Sequence, residues 1–163
     1  MDAISEDLLK VVAEDTNELM RDPLAIQVAQ EILLYAHGDK TAALNAVAKL
    51  AEGDPTQEGH IIKISFTARV YKTLVQGGHY NPQLKKIEVI EPPIRFGSNL
   101  LARIKSHIAQ WAMGEGSFVV VGLLESLSGA ELDELKKELK KHKTILQAKA
   151  AQNKGTKIVV EKI

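Results

Sequence analysis

The chain has 163 residues, 45% hydrophobic, 26% charged and 4% aromatic, and contains no cysteine. That is one domain's length and a globular composition, enough chain to bury a core without covalent staples. Without cysteine there is no disulfide framework, thiolate metal site or cysteine nucleophile.

The longest wholly apolar stretch, Phe118 to Leu124 with glycine allowed, falls well short of the ~20 residues a membrane span needs. The opening MDAISEDLLK is acidic, unlike a secretory signal or transit peptide. The expectation is a soluble, intracellular chain with no membrane partner. The net charge of zero conceals a division, because residues 1–60 hold 12 acidic and 4 basic side chains while 61–163 hold 9 and 17. The last 28 residues carry nine lysines against Glu138 and Glu161. Such asymmetry points to a polyanion or an acidic partner at one end.

In chain order the periodicity is helical almost throughout. Ile4, Leu8, Val11 and Val12 mark one face of a first helix, with Ser5 as its N-cap. Asp22-Pro23 reads as cap and first-turn proline of a helix over LAIQVAQEILLYAH, which Gly38 stops. Asp39 caps the next helix, KTAALNAVAKLAEG, which ends at Gly53. The loop DPTQEG leads to a helix over about 66–76, closed by Gly77-Gly78. GGHYNPQLKKIEVIEPPIRFG (77–97) then breaks the pattern with three prolines and three glycines. Its KKIEVIE core alternates as a short strand or extended loop does, and the whole reads as an inter-repeat connection.

Residues 98–113 form one further helix, with Leu100, Leu101, Ile104, Ile108 and Trp111 on its apolar side. Ser128 and Glu131 make a capping box at the start of a charged helix, ELDELKKELKKHK. The terminal KGTKIVVEKI suits a short helix or a strand.

Four segments repeat: AIQVAQEIL from Ala25, TARVYKTLV from Thr67, GSFVVVGLL from Gly116 and GTKIVVEKI from Gly155. Each begins with a small residue or threonine and is apolar at its fourth, fifth and ninth places. Those sets are Val28, Ala29 and Leu33; Val70, Tyr71 and Val75; Val119, Val120 and Leu124; and Ile158, Val159 and Ile163. Each segment follows a different helical stretch, as in a solenoid whose units bury their apolar faces only by stacking.

Asp22-Pro23-Leu24-Ala25-Ile26-Gln27-Val28-Ala29-Gln30 resembles the second helix of a Pumilio (Puf) repeat, and EGSFVVVGLLES and NKGTKIVVEKI resemble the same helix in later repeats. EILLYAHGDKTAALNAVAKLAEG with FTARVYKTLVQGGHY is similar to the C-terminal region of the nucleolar Pumilio-like proteins of Puf-A or penguin-like type. The resemblance implies an all-α, right-handed helical-repeat solenoid. Residues 1–163 would be a single domain of about four repeats, the C-terminal part of a longer solenoid, with 77–97 as an inter-repeat insertion. It also implies RNA as partner, with DNA as an alternative, and a setting in pre-rRNA processing and large-subunit assembly in the nucleolus. Pre-ribosomal proteins would be further partners, and translational repression of messenger RNA a related role.

In sequence-specific Puf proteins two or three side chains of each second helix read one base. The matching triplets here are Ile26, Gln27 and Gln30; Ala68, Arg69 and Lys72; Ser117, Phe118 and Val121; and Thr156, Lys157 and Val160. Gln27, Gln30, Ser117 and Thr156 are vestigial readout positions. Arg69 and Lys72 offer donors without an acceptor, which suits phosphate better than a base edge. Phe118 is a candidate for stacking a base.

The remaining signal is electrostatic: Arg69, Lys72, Arg103 and Lys105 in the middle, Lys136, Lys137, Lys140 and Lys141 on the charged helix, and Lys157 beyond it. Lys85, Lys86, Arg95, Lys143, Lys149 and Lys154 lie near them. Phosphate contacts of this kind release counterions and carry little sequence preference. The five histidines are scattered, and neither a GxxxxGK[ST] nor a GxGxxG phosphate loop occurs. No catalysis, metal, cofactor or small-molecule substrate is expected. The alternative is an armadillo- or HEAT-like adaptor whose curved face takes a peptide or ribosomal protein.

Overall fold

A carboxylate or asparagine placed just before an apolar run sets where several of these helices start. Asp22 Oδ1 accepts the N–H groups of Leu24 and Ala25, each at 2.8 Å, and its carbonyl accepts that of Ile26 at 2.9 Å. Asp39 Oδ1 accepts the Thr41 N–H at 2.9 Å, and Asn153 Oδ1 that of Thr156 at 3.2 Å. These bonds satisfy donors that have no partner in the first turn.

The computed structural model describes residues 2–91 and 93–163, so Met1 and Pro92 of the 77–97 connection lie outside it. In chain order the described helices are α1 (Asp2–Glu14), α2 (Thr16–Met20), α3 (Ala25–Tyr35), α4 (Thr41–Lys49) and α5 (Thr67–Gln76). A hairpin, β1 (Gly78–Asn81) and β2 (Lys86–Val89), comes next. It is followed by α6 (Phe96–Ile104), α7 (Ile108–Met113), α8 (Ser117–Ser126), α9 (Gly129–Lys140), α10 (Lys143–Ala150) and α11 (Lys154–Lys162).

The four repeat segments are α3, α5, α8 and α11, and they stack side by side in that order. The helices preceding each form a second row behind, in which α1 packs on α4, α4 on α6, and α7 on α9 and α10. The expected all-α repeat architecture is therefore the observed one. The core runs between the rows, around Trp111, Tyr71, Phe96, Met20 and Leu33. Tyr71 donates its hydroxyl to the Val47 carbonyl at 2.7 Å, and burial pushes that hydroxyl well above its ordinary pKa. Trp111 Nε1 is buried without a conventional partner among the described residues. Its ring meets His60 edge-on at 5.8 Å.

Several expectations need correction. α1 buries Leu9 and Val12, while Ile4, Leu8 and Val11 are exposed. Ser5 lies inside that helix rather than at its start. Helix 98–113 is two helices, α6 and α7, separated by a 3-10 turn over Lys105–His107. The capping box does not form, because the Ser128 side chain makes no cap bond and Glu131 accepts Ser98 Oγ at 2.9 Å instead. Residues 154–162, open between helix and strand in sequence, are helical. KKIEVIE supplies β2, and its partner strand is GHYN, which carries no strand pattern in sequence. Val28 is exposed, although its counterparts Val70 and Val119 are buried. Val70 faces α3 across a cleft, and α3 has no such neighbour on its other side among the described residues.

The glycines at the first places of the last two repeats have a steric cause. A Cβ at Gly116 would lie 2.4 Å from Trp111 Cε3, and one at Gly155 would lie 2.1 Å from Ser117 Oγ. Gly116→Ala is expected to destabilise the fold by about 1–3 kcal/mol, measured by denaturant unfolding, since the buried indole cannot step aside. The Asp22, Asp39 and Asp54 carboxyls are held below the usual range by hydrogen bonds from Ala25 and Leu24, from Thr41, and from Thr56 respectively. Folded-state values below the unfolded ones give stabilisation that is full above the ordinary carboxylate value of about 3.9 and is lost as pH falls through the folded values. Thermal melts should show stability declining below about pH 4, and Asp22→Asn should shallow that decline.

Candidate nucleic-acid interface

Each first-row helix has a neighbour on one or both sides and the second row behind it, so few of its side chains stay open. The third place does so in every repeat: Gln27, Arg69, Phe118 and Lys157 are all exposed. Because α3, α5, α8 and α11 stack in order, these four side chains form a row along the stack. The second places behave differently. Ile26, Ser117 and Thr156 are buried.

Ser117 Oγ donates to Asn153 Oδ1 at 3.1 Å, and Thr156 Oγ1 donates to the Ala112 carbonyl at 2.6 Å. Asn153 Nδ2 also reaches the Gly114 carbonyl at 3.2 Å. These hydroxyls hold successive repeats together and are unavailable to a base edge. Asn153 was missed in the sequence, although an asparagine directly before KGTKIVV carries an N-cap signal.

Between α3 and α5 lies a cleft of ≈ 700 Å³, lined by Gln27, Gln30, Arg69 and Thr73 over the apolar Ile26 and Val70. His79 of β1 closes one end, with its Nε2 2.7 Å from Glu31 Oε1 and its ring stacked on Tyr35 at 6.2 Å. Gln27, Gln30 and Arg69, drawn from two repeats, thus share one opening. Between α5 and α8 the glycine at 122 admits Lys72, whose Cγ would stand 3.3 Å from a Cβ there. The Lys72 ammonium then lies 5.6 Å from the centre of the Phe118 ring, a cation–π contact.

The other cations are placed elsewhere. Arg103 lies on α6 and pairs with Glu52 at 2.8 Å, and Lys105 in the following turn pairs with Glu134 at 3.3 Å. Lys136, Lys137, Lys140 and Lys141 belong to α9 and the turn after it, in the second row, with Lys141 3.0 Å from Glu138. The structure therefore divides the expected cations into a first-row group (Arg69, Lys72, Lys157) and a second-row group. Arg103, Lys105 and Lys141 of the latter are engaged by carboxylates. No cluster of three or more His, Asp or Glu among the described residues is arranged for a metal ion. No described helix is long and apolar enough to cross a membrane.

A double row of stacked helices with a shared residue pattern in the first row defines a Pumilio-like helical-repeat protein. Residues 1–85 match the CPL (NUC119) domain, and the chain belongs to that family. It is 36% identical over 154 residues to Pumilio homology domain family member 6 of Schizosaccharomyces pombe, covering 94% of this chain and 24% of that protein. The crystal structure of human Puf-A shares the fold, with a TM-score of 0.79 at 24% identity over 99% of this chain and 31% of that one. A crystal structure of human Puf-A in complex with DNA matches with a TM-score of 0.77 at 25% identity, covering 98% of this chain and 30% of that one. The chain spans about a quarter of the length of the curated relatives it matches.

The buried hydroxyls give a direct check on their role. Thr156→Val should lower unfolding stability by about 1–3 kcal/mol, because the Ala112 carbonyl loses its partner while the side-chain shape is kept. Equilibrium unfolding in urea measures this.

Proposed function

We propose that this chain is a non-enzymatic nucleic-acid-binding module that holds RNA, or DNA, chiefly through phosphates and with little sequence preference. The observation that carries the reading is the exposed row of Gln27, Arg69, Phe118 and Lys157 on stacked helices, where the edge-reading hydroxyls of Ser117 and Thr156 are buried. Arg69, Lys72 and Lys157 take phosphates, and Phe118 offers a stacking face beside Lys72. Lys136, Lys137 and Lys140 add a second, weaker field from the back row, with Arg103, Lys105 and Lys141 engaged there. The human Puf-A structure in complex with DNA supports the ligand class.

The cellular setting belongs to the same proposal: pre-rRNA processing and large-subunit assembly in the nucleolus, among pre-ribosomal proteins, with messenger-RNA repression as a related role. The exposed apolar Ile4, Leu8, Val11, Leu24 and Val28 lie at the α1–α3 end of the stack. We place them against a preceding repeat of a longer solenoid, of which this chain forms about four repeats, with 77–97 inserted between two of them. An adaptor that takes a protein on the same apolar end is the second reading.

Gel shifts with single-stranded RNA of two unrelated sequences, at about 50 and 200 mM salt, test this. Affinity is expected to fall on the order of tenfold or more between the two salts and to differ little between sequences. Arg69→Gln with Lys157→Gln should weaken both complexes alike. No binding at low salt, or tight binding indifferent to salt, would favour the adaptor.

A further inference from the structure

The hairpin between α5 and α6 projects from the stack, and its tip is uncovered: Tyr80 and Leu84 are exposed, as are Lys85 and Lys86 beside them. Among the described residues, the non-glycine positions with positive φ are Lys85 at 56° and Arg95 at 53°, both cations and both in the 77–97 connection. A left-handed position in a hairpin turn favours glycine or asparagine, and a lysine there is strained. Turn geometry therefore does not account for a lysine at 85.

The tip is also held in place. Asn81 Oδ1 accepts the Gln83 N–H at 2.9 Å and the Leu84 N–H at 3.2 Å, and Asn81 Nδ2 donates to Glu88. At the base, a Cβ on Gly78 would lie 1.9 Å from the Glu88 carbonyl oxygen, so only glycine lets the strands approach. The register pairs His79 with Glu88 and Asn81 with Lys86, so strand alternation sets Lys86 on the same ribbon face as His79. His79 closes the end of the α3–α5 cleft that holds Gln30 and Arg69. Glu88 is engaged by Asn81 and Glu31 by His79. Neither Lys85 nor Lys86 is ion-paired among the described residues.

We propose that the hairpin is a second phosphate-contacting arm, receiving a nucleic-acid strand as it leaves the α3–α5 cleft and holding it on Lys85 and Lys86. This rests on the reading of the first-row helices as a nucleic-acid surface. The arm lengthens the footprint without reading bases, and the strained backbone at residue 85 is retained because it carries a cation rather than a turn-former.

The test uses the full chain with a fluorescent single-stranded RNA, anisotropy titrations across a salt series, and thermal melts. Lys85→Asn combined with Lys86→Gln should lower the slope of log affinity against log salt by about 1.4, at ~0.7 per lost contact with a single strand. Lys85→Asn alone should weaken binding while raising the melting temperature by about 2–4 °C. Unchanged slope and affinity in the double variant, with the parent chain binding normally, overturns the arm and leaves the helix-row reading intact. A lower melting temperature for Lys85→Asn likewise overturns it, because the lysine would then be structural. Absence of binding by the parent chain at low salt overturns both.

Discussion

Helices that lie side by side at close range leave no room for a side chain at the point of nearest approach, and most of this structure follows from that. The first places of the last two repeat segments, Gly116 and Gly155, are such points, whereas the first two segments carry Ala25 and Thr67 there. At Gly116 and Gly155 the neighbouring atoms would meet even a methyl group. Close approach then dictates which other places can face solvent. α8 is the extreme case: with α5 on one side, α11 on the other and α7 behind it, seven of its ten residues are buried. Phe118, at the third place, is among the few left open. Packing between repeats, rather than the polarity of the residue, selects the exposed row.

This explains why the fold was legible in sequence and the surface less so. The repeat segments and the carboxylates of Asp22 and Asp39 that bond the first N–H groups of α3 and α4 are local features, and the two helices start within two or three residues of them, at Ala25 and Thr41. The α1 face misled because Ile4, Leu8 and Val11 follow a helical period as faithfully as buried residues do. What buries a face is its neighbour, and the described neighbours of α1 cover Leu9 and Val12 instead. Capping chemistry alone also failed at Ser128, where Ser98 from α6 captured the Glu131 carboxylate that the box required. The hairpin was half visible, since β2 alternates clearly while GHYN carries no strand period of its own. Its pairing depends on Gly78 admitting the Glu88 carbonyl.

The candidate site was visible as a residue list but not as an arrangement. Arg69, Phe118 and Lys157 come together because they occupy the third place on stacked helices, and Lys72, at the sixth place of α5, reaches the Phe118 ring beside Gly122. Arg103 and Lys105 are close to them in sequence yet fall on the back row, where Glu52 and Glu134 hold them. Net charge along the chain cannot make that distinction, because it counts a paired and an unpaired cation alike. Exposed ion pairs of this kind contribute little stability, so their main consequence is to reduce the charge those residues offer a polyanion.

The Lys72–Phe118 contact bears on how much specificity the proposed surface can have. An ammonium 5.6 Å from the ring centre occupies one face of Phe118, so at most a single base can stack on that ring. Gln27, Arg69 and Lys157, the remaining third-place side chains, include no aromatic group, so continuous stacking along the row is not available. Gln30 retains an amide that can meet a base edge, but its partner at the second place of the same helix is the buried Ile26, and a two-point reading there lacks half its groups. On the proposed reading, one stacked base and the two amides of Gln27 and Gln30 set against at least three cations make binding energy mostly electrostatic. Such a surface follows a backbone rather than a sequence, and suits ligands that differ along their length.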